Sequence, residues 1–192
     1  GDVTGHGVPA ALVMAMSKAV VTSQGFSGAT AVKILETLNQ VIFQTIRPQL
    51  LMTLGLLFID TVSNEIQLFN CGHPYPKKVD ASGKVLEITP LPGIPIGLWN
   101  KLKVNPTPVV LNPNERIIFF TDGLAESLDQ DSSISAYDLL DEYFQSRPSL
   151  PIERSCGDIL ENHPFFKRGL PQPDDFTVVI VERKSIRVHM GE

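Results

Sequence analysis

The sequence is short of cysteine and of long apolar runs, and each shortage removes a class of protein. Its two cysteines, Cys71 and Cys156, stand far apart and outside any Cys-x-x-Cys pair. That argues against a disulfide framework or a thiolate zinc site and for a reducing compartment, the cytoplasm. The longest apolar stretches, such as Leu54–Ile59 and Val178–Val181, are strand-sized; spanning a bilayer takes about 20 residues. The opening Gly1-Asp2 has no basic segment, so no signal peptide is expected there. Basic runs are also missing: 21 acids face 16 bases, for a net charge of -5. Nucleic acid and anionic membranes are therefore poor candidates for the main partner. There is no repeat and no low-complexity linker, so a single domain is expected, and 192 residues are enough to bury a core.

What is present reads as helices and strands in blocks. Val8–Met16 is rich in alanine, leucine and methionine, with Pro9 in the first turn, and predicts a helix. Apolar nearly all round, it is expected to be largely buried. From about Ala29, apolar residues at Val32, Leu35, Leu38, Val41 and Ile42 predict a second helix that Pro48 stops. Leu51–Asp60 and Glu65–Asn70 read as strands around the turn Thr61–Asn64. Lys77–Asp80 and Val85–Thr89 flank a second hairpin turn, and Asn112–Glu115 is a tight turn before the strand Arg116–Phe120. Helices are expected from Ser135 to Gln145 and from about Pro151 to a point before His163-Pro164, then a last strand over Phe176–Val181. Blocks of strands and helices, without strict alternation, indicate an α+β fold.

Aspartates recur beside glycines or at the lips of buried strands: Gly1-Asp2-Val3-Thr4-Gly5-His6-Gly7, Thr121-Asp122-Gly123 and Asp174-Asp175-Phe176. Antiparallel pairing would bring the end of Ile117–Phe120 to the start of Val178–Val181, and with it Asp122 to Asp174 and Asp175. Clustered carboxylates need a counter-charge, and an all-oxygen set suits Mg²⁺ or Mn²⁺. Each motif alone is more often a turn or a solvated loop. Their joint occurrence, in order and each against an apolar element, favours a metal site.

At this point the chain resembles the PPM-type metal-dependent serine/threonine phosphatases, in the bacterial branch of SpoIIE and RsbU-like proteins. The resemblance rests on GDVTGHGVPAAL at 1–12, MTLGLLFID at 52–60, FNCGHPYP at 69–76, LPGIPIGL at 91–98, FTDGLAES at 120–127 and PDDFTVVIV at 173–181. It implies two antiparallel β-sheets in a sandwich flanked by helices, and a two-metal centre of Mn²⁺ or Mg²⁺. It implies that Asp2 bridges the metals, that the Val3 carbonyl is a further ligand, and that Asp122 and Asp174 hold one ion. Asp175 is the weaker candidate of its pair. A metal-bridged water would attack phosphorus directly, with His6 a candidate general acid for the leaving oxygen. His73, in Asn70-Cys71-Gly72-His73-Pro74, is expected to order a loop. Ser146–Gln172 is expected to be a loop with a hydrophobic anchor, the alternative being a surface that helps bind the partner protein.

The resemblance also implies upstream strands and an acidic GGDxxD segment that this sequence does not contain. The expectation is thus an N-terminally incomplete phosphatase domain over residues 1–183, with 184–192 a tail or edge strand. Such a chain should be weakly active or inactive and able to pair as a homodimer through an exposed sheet edge. The implied substrate is a phosphorylated STAS-domain protein of the anti-sigma-factor-antagonist type, with sensor or receiver domains upstream. Two other readings compete: a non-catalytic partner-binding module that retains the fold, and a small-molecule phosphatase.

Overall fold

The computed structural model describes residues 1–46, 50–86, 88, 91–128, 135–146, 150–167 and 174–185. In chain order the elements are β1 (Asp2–Val3), α1 (Val8–Phe26), α2 (Ala31–Thr45), β2 (Met52–Ile59), β3 (Ile66–Cys71), β4 (Lys77–Val79), β5 (Val85–Leu86), β6 (Thr107–Pro108), β7 (Arg116–Phe120), α3 (Asp122–Glu126), α4 (Ala136–Gln145), α5 (Ile152–Asn162), α6 (Pro164–Lys167) and β8 (Val178–Glu182). They form two four-stranded antiparallel sheets in an α+β arrangement, as the sequence pattern predicts. Among the described residues no helix is long and apolar enough to cross a membrane.

The chain divides into two compact units. The first holds Gly1–Tyr75 and Thr89–Val109. Its sheet runs β1-β2-β3-β6. The β2–β3 hairpin turns at Asn64, which adopts the left-handed φ of 59° that asparagine tolerates. The Asp60 carboxylate accepts the Val62 and Ser63 amides and closes the turn. Helix α2 starts on Thr30, whose hydroxyl accepts the Lys33 amide, and buries Ile34, Leu35, Leu38 and Ile42 on one stripe. Asn39 is buried on the same helix. Its side chain donates to the Trp99 carbonyl at 2.9 Å and accepts the Gly97 amide at 2.9 Å, seating the 97–100 loop.

Helix α1 corrects one expectation. It runs on to Phe26, and it is not buried all round: Val13 and Ser17 are buried, whereas Val8 is 73% and Leu12 57% exposed. The reason is its neighbours. Ala10, Met16 and Val20 join the core that α2 builds, which covers one side of α1 and leaves its other apolar side chains uncovered.

The second unit holds Pro76–Ile88 and Val110–Glu192, with sheet order β5-β4-β7-β8. Asn114, at φ 65°, makes the turn into β7. Ile118, Phe120 and Leu124 pack with Leu140, Phe144 and Ile159 of α4 and α5. Ser135 caps α4 by accepting the Tyr137 amide. Two short strands, β1 and β6, and two short helices, α3 and α6, are absent from the sequence-based reading. Each has five residues or fewer and no periodicity to detect. The tail beyond Ser185, and parts of 146–172, lie outside the described residues.

Candidate active site

In the first unit Asp2 and Val3 form β1, paired with Thr53 and Met52 of β2. The Val3 side chain is buried and fixes the strand, which leaves its backbone as the polar part. Gly5 and Gly7 take left-handed φ of 87° and 77° on either side of His6, so the 1–7 turn requires glycine at both. His6 is exposed. The Thr53 hydroxyl lies 3.5 Å from the Asp2 carbonyl and 2.9 Å from His73 Nδ1. Asn70 locks the Asn-Cys-Gly-His turn: its amide donates to the His73 carbonyl at 2.7 Å, and its oxygen accepts the Gly72 amide at 2.9 Å. His73 is thus tied into the loop that carries it and bonded to the strand beside Asp2. Cys71, buried next to it, has its thiol pushed up to about 12 by burial.

In the second unit β7 and β8 bring together the two acid-bearing segments. Their last pair is Phe120 with Val178, so Asp122 follows one strand as Asp174 and Asp175 precede the other. Thr121 holds the junction. Its hydroxyl donates to the Asp175 carbonyl at 2.9 Å and accepts the Thr177 amide at 2.9 Å, while its own amide donates to the Thr177 carbonyl at 3.1 Å. Asp122-Gly123, by sequence a turn, opens helix α3, where an acid in the first turn suits the helix dipole. Asp122 Oδ1 accepts the Gly123 amide, and Asp174 Oδ1 accepts the Asp175 amide. Both acids before β8 are exposed. Burial, then the Asp122 and Glu126 carboxylates, push the Tyr137 phenol up, which marks Tyr137 as a neighbour of both acids.

Gly123 shows how close the segments run. A Cβ there would lie 3.0 Å from the Asp175 carbonyl oxygen and 3.1 Å from the Phe176 ring. Glycine alone lets the Asp122 turn lie against the 174–176 segment at this distance. Aspartate carboxylates at one sheet end, with a backbone carbonyl beside them, form an all-oxygen donor set of the kind hard divalent cations take. By donor chemistry alone, these oxygens match what Mg²⁺ or Mn²⁺ prefers. Within either unit the described residues gather no group of three or more His, Cys, Asp or Glu side chains able to hold a metal.

Thr121, Asn70 and Thr53 went unassigned in the sequence reading. Hydroxyls and amides that position neighbours leave no pattern beyond their place in a motif; Thr121 and Asn70 adjoin recognised ones.

Sheets, helices and acid-bearing turns together define a PPM, or PP2C-type, phosphatase domain. Residues 1–184 match the family description Stage II sporulation protein E (SpoIIE), and the chain belongs to that family. It is 24% identical over 189 residues to phosphoserine phosphatase RsbU of Bacillus subtilis, covering 95% of this chain and 54% of that protein. It is 26% identical over 189 residues to phosphoserine phosphatase RsbP of the same organism, covering 95% and 44%. In the crystal structure of the RsbU and RsbW domains of Rv1364c from Mycobacterium tuberculosis, 30% identity accompanies a TM-score of 0.74, over 95% of this chain and 50% of that one. The chain thus spans about half the length of these three relatives.

Proposed function

We propose that this domain hydrolyses phosphoserine or phosphothreonine on a protein partner, in a divalent-metal-dependent reaction. One observation carries the reading: Thr121 and the β7–β8 pairing bring Asp122 beside Asp174-Asp175 in a chain that matches the SpoIIE family over 1–184. Asp122 and Asp174 would hold one ion, with Asp175 in reserve; in the first unit, Asp2 and the Val3 carbonyl are the candidate metal ligands. Bound Mn²⁺ or Mg²⁺ would activate water and offset charge on the transferring phosphoryl group. The chain's own residues do the rest. Gly123 permits the close approach, Thr121 fixes the two acid-bearing segments, and Thr53 and Asn70 hold His73 and the strand next to Asp2. His6, on its glycine-flanked turn, is free of burial and suits proton donation to a leaving serine oxygen. The named activity of RsbU and RsbP supports a phosphoserine substrate. A STAS-type phosphoprotein in a sigma-factor pathway, met in the cytoplasm, is the partner this reading favours.

The test is Mn²⁺-dependent release of phosphate from a phosphoserine protein, by this chain and by a version lengthened upstream through an acidic strand. Activity in either form that Asp122→Asn abolishes supports the reading. Metal-independent activity, or none in either form, overturns it. Partner binding that survives Asp122→Ala without any hydrolysis would instead establish a binding module.

A further inference from the structure

Among the described residues of the second unit, the most buried polar side chain has no part in the chemistry above. His163 is 0% exposed. It ends α5, and Pro164 starts α6 directly after it. Its Nε2 lies 3.0 Å from the carbonyl of Leu124 in α3. The carbonyl can only accept, so Nε2 carries the proton and donates.

That bond answers a need built into α3. A five-residue helix cannot satisfy its own carbonyls. The amide that would reach back to Leu124 belongs to Leu128, and it bonds to Ala125 instead. The Ser127 hydroxyl is 3.5 Å from the Leu124 oxygen and much closer to that of Gly123. His163 therefore supplies the donor that Leu124 lacks inside its helix. The same imidazole meets Phe176 at 5.7 Å between ring centroids, and Phe166 packs edge-on against both rings, 6.0 Å from His163 and 5.1 Å from Phe176. Tyr143 closes the other side at 5.6 Å.

One ring thus touches both acid-bearing segments. Leu124 is two residues after Asp122, and Phe176 follows Asp174-Asp175 directly. We infer that His163 is a positioning residue for the acid pair: it clamps helix α3 and the Phe176 segment together, and so sets the spacing of the Asp122 and Asp174 carboxylates. The role rests on the metal-dependent reading given above. It explains why a histidine occupies a site otherwise lined by Phe, Tyr and Leu: an aliphatic side chain could fill the space but could not bond Leu124.

The experiment compares the wild-type chain with His163→Leu, which keeps bulk without a donor, and His163→Gln, whose amide can still donate. Two quantities are read: amide hydrogen exchange across 121–127 and 174–177 in metal-free protein, and Mn²⁺ affinity from the electron paramagnetic resonance signal of the free ion. His163→Leu is expected to speed exchange in both segments and to weaken Mn²⁺ binding by about tenfold or more, the scale for residues that orient metal ligands. His163→Gln is expected to restore most of both. A folded His163→Leu that binds Mn²⁺ like wild type overturns the positioning role and leaves the phosphatase reading intact. Failure to bind Mn²⁺ both by the wild-type chain and by the version lengthened upstream overturns both. Should His163→Leu lose its native circular dichroism, Phe176→Leu takes its place. It removes the other half of the clamp and is expected to weaken Mn²⁺ binding similarly; unchanged binding again overturns the role.

Discussion

Replacing Thr121 by valine keeps the shape of a buried side chain and deletes one oxygen. In the native chain that oxygen serves two backbone groups, the Asp175 carbonyl and the Thr177 amide, both at 2.9 Å. A net hydrogen bond contributes about 0.5–1.5 kcal/mol, so two give roughly 1–3 kcal/mol. The surroundings narrow this. Thr121 is 5% exposed, but Asp175 and Thr177 are exposed residues, so water can reach part of what valine abandons. The lower half of the range applies, about 1–2 kcal/mol. Urea unfolding should show a midpoint lower by roughly 0.5–1 M at an ordinary denaturant slope of about 2 kcal/mol/M. Thr121→Ser, which keeps the oxygen, should recover most of the loss. Mn²⁺ affinity should fall with the valine, since the junction holds both acid-bearing segments. A Thr121→Val chain within about 0.3 kcal/mol of wild type would refute the reasoning, because additivity errors alone reach that size.

Gly93 is packed onto β3 so closely that an added Cβ would lie 1.8 Å from the Asn70 carbonyl oxygen. Gly93→Ala should therefore destabilise by about 3 kcal/mol, the upper end of ordinary overpacking; a wild-type thermal midpoint would show that the loop is not seated there. Burial lowers the His163 pKa, against a smaller upward pull from the Leu124 carbonyl. The unfolded chain takes up that proton near pH 6.5 and the folded chain only at lower pH, so stability should drop as pH falls below about 6.5. His163→Gln should flatten this part of the profile, and urea midpoints at pH 7.5 and 5.5 that fall equally in both chains would count against it. The Cys71 thiol, pushed up to about 12 by burial, should resist a thiol reagent at pH 8 while the half-buried Cys156 reacts. Two fast-reacting thiols would contradict that.

Much of the fold was legible because its elements carry a period or a punctuation mark. The stripe Ile34–Leu35–Leu38–Ile42, the Ser135 cap and the turns at Asn64 and Asn114 each announce themselves in a few neighbouring residues. The segments that escaped notice are those whose stability comes from elsewhere. Helix α3 exists because Thr121 and His163 hold it in place, and β6 because Ile66 accepts the Val109 amide. Helix α1 reads as buried by composition, yet burial belongs to neighbours, and those it meets cover one side only.

The candidate site divides the same way. By itself the sequence named the candidate residues, Asp2, Asp122, Asp174 and Asp175, each set by a glycine or by the lip of an apolar strand, and the family they point to. Only the tertiary structure decided what holds Asp122 beside Asp174-Asp175. The Thr121 hydroxyl reaches residues 54 and 56 positions away, and His163 reaches Leu124 across 39. Contacts at such separations leave no local period, because the chain between them sets their distance only once it has folded.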